Sequence, residues 1–220
     1  MEPLTVALPK GRMQDQVLDL FRAAGYPTDQ NATSSRKLIF EDASGRLRFV
    51  LAKPADVPIY VEYGAADLGV VGEDVLRESD RDLYEPLMLG LARCHLALAG
   101  PPEMRHRNLR LETGLRVASK YPKLSREYFQ RQGIAAEIIP LSGSVELAPF
   151  LGLADLLVDL VETGRTLREN GLVELATIME SQATLVVNRA SHKLRLKTIQ
   201  ELIGNLAAEV ARRRDEEQAE

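Results

Sequence analysis

Residues 155–170 read Asp155-Leu156-Leu157-Val158-Asp159-Leu160-Val161-Glu162-Thr163-Gly164-Arg165-Thr166-Leu167-Arg168-Glu169-Asn170. A mostly apolar run to Val161 predicts a buried strand. A glycine turn flanked by two hydroxyls follows, and a helix is expected from Leu167. Strand followed directly by helix is the repeating unit of α/β folds, in which helices cover both faces of a parallel sheet.

The same order recurs outward in both directions. Leu4 to Leu8 is a short strand, broken by Pro9-Lys10-Gly11-Arg12. Val17, Leu18, Leu20, Phe21 and Ala24 follow at helical spacing, with Gly25 as the stop. Leu38 to Phe40 and Leu47 to Leu51 flank Ala43-Ser44-Gly45, which predicts a hairpin. Pro54 to Pro58 opens a helix through Tyr63. Asp67 to Gly72 reads as a buried strand, and Glu73 to Glu78 as a helix. In the second half, a strand at Leu115 to Ser119 precedes a helix at Pro122 to Gln132, stopped by Gly133. Ile138-Ile139 is a strand, and Ser142-Gly143-Ser144 opens a helix. Thr177 to Val187 reads as extended chain. A final helix is expected to start at a capping box, Thr198 with Glu201, and to carry an apolar stripe of Ile199, Leu202, Ile203, Leu206 and Val210. The polar stretch from Arg212 to Glu220 is expected to fray. The Gly100-Pro101-Pro102 break follows the strand at Cys94, which places a boundary near residue 92. The reading is an α/β protein of two lobes with a ligand cleft between them.

Composition narrows the function. The 220 residues are 45% hydrophobic and 27% charged, as in an ordinary globular protein. The formal charge of −4 disfavours a nucleic-acid-binding surface, so any anionic ligand must be held by local features. One cysteine, Cys94, excludes an internal disulfide framework and fits a reducing compartment. Its neighbour His95 points to the opposite face of the expected strand, which argues against a Cys–His nucleophile. No signal-peptide pattern and no membrane-length apolar run occur, so a cytoplasmic protein is expected. His95, His106 and His192 are dispersed, without metal-ligand spacing, and no resident metal site is expected. Neither a G-x-S-x-G elbow nor a G-x-G-x-x-G fingerprint occurs.

Four turns can carry chemistry. In the quoted stretch, Gly164 lets backbone N–H groups approach an oxyanion, Thr163 and Thr166 add hydroxyl donors, and the helix start adds a positive dipole end. That suits a phosphate monoester, with Asp159 and Glu162 placed to accept from sugar hydroxyls. The spacing is not that of a Walker loop. The same residues also suit a plain capped turn. Lys10, Gly11 and Arg12 put two cations around a glycine at a strand's carboxyl end, which can clamp a diphosphate or simply form a solvated loop. Asp67 and Gly69, in Asp67-Leu68-Gly69-Val70-Val71-Gly72, permit close approach by a ligand or tight packing. Ser142, Gly143, Ser144 and Glu146 form another hydroxyl–glycine turn that can bind an anion or cap a helix.

Taken together and in this order, these segments resemble the catalytic subunit of ATP phosphoribosyltransferase, the first enzyme of histidine biosynthesis. The resemblance rests on Leu8 to Arg12, on Asp56 to Gly72, and on Asp159 to Leu167 continuing to Asn170-Gly171-Leu172. It implies a periplasmic-binding-protein-like architecture, with a first lobe of residues 1–92, a second of 93–179, and residues 180–220 returning to the first. It implies transfer of the 5-phosphoribosyl group of phosphoribosyl pyrophosphate to N1 of ATP, with magnesium accompanying the substrate. The 5-phosphate falls to Thr163, Gly164, Arg165 and Thr166, and the ribose to Asp159 and Glu162. The pyrophosphate falls to Lys10 and Arg12, with Arg36 or Lys53. Lys53 stands where the family commonly has arginine, which keeps the charge but loses the planar fork. Asp67, Gly69 and the 142–146 turn are weaker candidates near the nucleotide and ribose. The chain resembles the short form, which implies a homodimer that joins a regulatory subunit similar to histidyl-tRNA synthetase in a hetero-octamer. Two alternatives remain at this stage: a non-catalytic small-molecule-binding module on the same scaffold, and a purine or pyrimidine salvage phosphoribosyltransferase.

Overall fold

A computed structural model describes residues 2–28 and 37–219. The chain divides into two compact units, residues 1–92 with 182–220 and residues 93–181.

Unit 1 is built on a six-stranded sheet. In chain order its elements are β1 (Leu4–Pro9), α1 (Arg12–Ala23), β2 (Ile39–Glu41), β3 (Leu47–Ala52), α2 (Val57–Glu62), β4 (Leu68–Gly72), α3 (Glu73–Ser79) and β5 (Tyr84–Met88). The sheet order is β2-β3-β1-β4-β11-β5, where β11 (Ala183–Val187) arrives from the far end of the chain. β3, β1 and β4 run parallel, while β2 and β11 are antiparallel to their neighbours. The parallel sheet expected from alternating strands and helices is therefore mixed: the hairpin and the returning strand reverse direction at its two sides. Helix α1 seats Val17, Leu18, Leu20 and Phe21 in a core with Phe49, Leu68 and Leu185.

Unit 2 carries five strands. β6 (Cys94–Gly100), β7 (Leu115–Ser119), β8 (Ala136–Pro140), β9 (Leu156–Val161) and β10 (Val173–Ser181) stand in the order β10-β6-β9-β7-β8. β8, β7 and β9 are mutually parallel, and β6 is antiparallel to both β9 and β10. Helices α4 (Pro122–Gln132), α5 (Leu147–Phe150) and α6 (Arg165–Glu169) connect them. α4 ends at Gly133 in a left-handed conformation, φ 67°, as its sequence predicts. One face of the sheet packs Leu96, Val117, Phe129 and Val158, and the other packs Ala97, Leu157, Val161 and Leu167.

Two local expectations are corrected. The stretch read as one extended chain is two strands in two sheets, and the passage between units falls at Gln182 because β10 stays paired with β6 as far as Ser181. The Thr198–Glu201 capping box is not a helix start. A short helix α7 (Arg189–Leu194) precedes, capped by Asn188, whose side chain accepts from the Ser191 N–H at 2.8 Å, and α8 begins at Leu196. Thr198 is thus already inside α8. α8 continues through the polar stretch from Arg212 as far as Ala219. Its distal half is tied by the buried Glu209 carboxylate, which accepts from both Arg212 and Arg213. Those hydrogen bonds, Arg212's first, lower the Glu209 pKa from 4.5 to about 2.

Candidate functional site

In a parallel sheet every strand delivers its carboxyl end to one edge, and loops from that edge share a neighbourhood. Each unit has such an edge, and most of the residues singled out above fall on one or the other.

In unit 1, β1 and β3 end in register, Pro9 opposite Ala52. The Lys10 N–H donates to the Ala52 carbonyl at 2.8 Å, so Lys10 and Lys53 leave the sheet side by side, both exposed. Gly11 adopts φ 103° at the start of α1, and Arg12 opens the helix's first turn. This edge therefore collects Lys10, Gly11, Arg12 and Lys53. Arg36 lies outside the described residues.

Asp67 and Gly69 do not join them. Asp67 precedes β4 and lies at the amino edge of the sheet, the opposite side from Lys10. Its Oδ2 accepts from the Thr5 N–H at 2.9 Å and from Arg195 Nη1 at 3.1 Å. It fastens the start of α8 to β1 and β4, and the expectation that it contacts nucleotide or ribose is corrected. Gly69 is a packing glycine. A Cβ there would stand 2.8 Å from both Val57 Cγ1 and Val61 Cγ2, so its absence lets α2 lie close on the sheet.

In unit 2, β7, β8 and β9 share their carboxyl edge. β9 ends at buried Val161 and continues through exposed Glu162 and Thr163 to Gly164, which is buried with φ 68°. Arg165 and Thr166 are exposed in the first turn of α6. Leu167 anchors that turn in the core beside Val161 and Leu172. The loop is braced internally: the Arg165 N–H reaches Thr163 Oγ1 at 3.4 Å, Arg165 Nε donates to Glu169 at 2.7 Å, and Asn170 Nδ2 donates to the Thr166 carbonyl at 2.9 Å. Asp159 alternates with Leu157 and Val161, on the sheet face that α6 covers. Its Oδ1 accepts from the Leu160 N–H at 2.9 Å.

The neighbouring turn follows β8. Ser142, Gly143 and Ser144 are exposed, Ser144 at φ 49°, and the Ser144 carbonyl accepts from the Leu147 N–H. Glu146 occupies the cap position of α5 and is half-buried. No neighbour lies within 4 Å of where a Gly143 Cβ would stand, so packing does not require glycine there. The structure brings this turn and the 162–166 loop to one edge, and adds Lys120, exposed directly after β7. Sequence reasoning passed over Lys120, although a cation following a strand was the signal that singled out Lys10. It also missed Glu174, which lies under Gly164. A Cβ at Gly164 would meet Glu174 Oε1 at 3.1 Å and Arg168 Nη1 at 2.9 Å. No local pattern marks a glutamate at the start of a strand as a neighbour of a loop ten residues earlier.

Among the described residues, no group of three or more His, Cys, Asp or Glu side chains could hold a metal ion, and no helix is long and apolar enough to cross a membrane.

Residues 53–208 match the HisG family model, described as ATP phosphoribosyltransferase. The ATP phosphoribosyltransferase of Geobacillus kaustophilus is 51% identical over 205 residues, 93% of this chain and 97% of that one. That of Ruminiclostridium cellulolyticum is 50% identical over 212 residues, 96% and 99% of the two chains. Among solved structures, a chain of the ATP phosphoribosyl transferase (HisG:HisZ) complex from Thermotoga maritima aligns with a TM-score of 0.81 at 33% identity, covering 95% of this chain and 99% of that one. The periplasmic aliphatic sulphonate binding protein SsuA from Escherichia coli aligns over 100% of this chain and 72% of its own, with a TM-score of 0.62 at 13% identity. That second likeness is one of fold alone.

Proposed function

This chain belongs to the ATP phosphoribosyltransferase family, and from that membership we infer that it transfers the 5-phosphoribosyl group of phosphoribosyl pyrophosphate to N1 of ATP. The products are N1-(5-phosphoribosyl)-ATP and pyrophosphate, and the reaction is the first step of histidine biosynthesis. The observation that carries this reading is identity of about half over nearly the full length of both chains in each relative named above. A binding module or a salvage enzyme would not account for it.

We propose roles for this chain's residues that are consistent with their places at the two sheet edges. The N1 lone pair of adenine forms the new bond to C1 of the ribose. The C1–O bond breaks, and its electron pair leaves with pyrophosphate. A ring nitrogen already holds its lone pair, so attack needs no strong base, and the protein works by positioning and electrostatics. The loop of Thr163, Gly164, Arg165 and Thr166 takes the 5-phosphate on backbone N–H groups, hydroxyls and the start of α6. Asp159 and Glu162 orient ribose hydroxyls and favour the positive charge that builds on the sugar as the leaving group departs. Lys10 and Arg12, with Lys53 beside Lys10, hold the pyrophosphate. The 142–146 turn serves as a further polar contact on the unit 2 edge. Magnesium would accompany the substrate and not a dedicated site of this chain, and when bound would offset the charge of the departing pyrophosphate.

The HisG:HisZ complex of Thermotoga maritima supports a regulatory HisZ partner for this chain. The proposal extends to a homodimer in isolation, a hetero-octamer with that partner and a cytoplasmic location. The test is pyrophosphate release with magnesium, ATP and phosphoribosyl pyrophosphate, with and without the partner, omitting each substrate in turn. Release that requires both substrates is expected. Absence of release even with the partner present would overturn the reading.

A further inference from the structure

Glu174, on β10, has no part in the mechanism above, yet its carboxylate lies close to the centre of the phosphate loop. Its Oε1 lies 3.1 Å from where a Gly164 Cβ would stand, and Arg168 Nη1 lies 2.9 Å from the same point. Its other oxygen, Oε2, is 2.7 Å from His95 Nε2. His95 in turn sits on β6 directly opposite Val161, the last strand residue before the loop. One carboxylate therefore spans two supports: one oxygen meets the underside of the loop, and the other is held by an imidazole rooted beside the strand that launches the loop. Gly164 is buried and held at a positive φ, so the loop's course depends on what lies beneath it. A carboxylate this close to a phosphate site would repel the ligand if it stood alone. Arg168 Nη1, 2.9 Å from the same Cβ point, puts a cation in that neighbourhood as well.

We propose that Glu174 is a positioning residue for the phosphoribosyl-binding loop, and that His95 acts through it by fixing the carboxylate's orientation. The substrate side of this inference rests on the function proposed above; the loop side does not. Removing Glu174 leaves Gly164 without its floor, so the loop loses order. Removing His95 loosens the same carboxylate, which makes the two losses overlap.

The test has two arms. Without substrate, amide hydrogen exchange of residues 162–170 is compared in wild type, Glu174→Ala, Glu174→Gln, His95→Ala and the His95→Ala/Glu174→Ala double variant. The alanine variants are expected to exchange at least fivefold faster in this segment, with the α4 segment unchanged. Glu174→Gln, which keeps the shape, is expected to stay within twofold of wild type. With substrate, Glu174→Ala is expected to raise the KM for phosphoribosyl pyrophosphate at least tenfold while the KM for ATP stays within twofold. The double variant is expected to be no worse than Glu174→Ala, because residues acting as one unit are not additive. Wild-type exchange in the loop of a folded Glu174→Ala would overturn the proposal, as would additive losses in the double variant. Altered exchange in a chain whose wild type turns over neither substrate would uphold the loop assignment and sink the functional reading separately.

Discussion

The two carboxyl edges offer an anion different groups. At the unit 1 edge, Lys10 and Lys53 emerge side by side from register-matched strands as exposed point charges, with Arg12 in the adjoining helical turn. At the unit 2 edge, the groups on offer are backbone N–H groups and hydroxyls around a buried glycine, with Glu174 and Arg168 close to that glycine. The first arrangement tolerates movement, because a long cation follows its ligand. The second does not, because a backbone cradle works only in one shape. In the proposed reaction a mobile charge suits the departing pyrophosphate, and a rigid cradle suits the 5-phosphate that stays fixed.

Substitutions at the two edges should therefore fail differently. The largest loss is expected for Gly164→Val. The new side chain meets Glu174 and Arg168 and sits at a backbone angle that valine rarely adopts. Calorimetry on the folded variant should show phosphoribosyl pyrophosphate binding weakened at least a hundredfold, about 2.8 kcal/mol; wild-type affinity would remove the cradle. Next comes Gly69→Ala, which presses on Val57 and Val61. Denaturant unfolding should show a stability loss of about 2 kcal/mol, with both KM values unchanged in the folded fraction. A raised KM at full stability would restore Gly69 to the binding site. Lys10→Ala is expected to lower turnover at least tenfold, about 1.4 kcal/mol of barrier, without a change in melting temperature. Unchanged steady-state rates would take Lys10 out of the mechanism. The smallest change is expected for Lys53→Arg, within threefold of wild type in either direction, about 0.6 kcal/mol. A larger gain in kcat/KM would mean that planar, two-point recognition matters at the unit 1 edge as well.

The strand–turn–helix units at residues 4–24, 115–133 and 155–170 were legible because each couples an apolar run to a glycine or proline break. Strand direction sets which edge a loop occupies, and that rule, which the reading of Asp67 as a ligand contact did not apply, separates Lys10 from Asp67: Lys10 follows its strand, whereas Asp67 precedes its own. What stayed hidden depends on partners distant in sequence. Gly69 reads the same whether its missing side chain makes room for a ligand or for Val57 and Val61. Thr198 and Glu201 have the spacing of a helix start, but the helix begins earlier, at Leu196. Glu174 becomes visible only when β10 is laid against β6 and its carboxylate is found under Gly164.

The strand order carries a consequence for synthesis. Unit 2 is one uninterrupted stretch and can close its sheet once Ser181 has left the ribosome. Unit 1 cannot. β11 lies between β4 and β5, so until Val187 has emerged the first-made half of the protein holds its sheet open along β4, with β5 set apart from it. Contacts between residues so far apart in sequence form slowly, and an unpaired strand edge invites pairing with other chains. The region made first is therefore finished last, and the nascent chain is most exposed to aggregation while residues 93–181 are still being added.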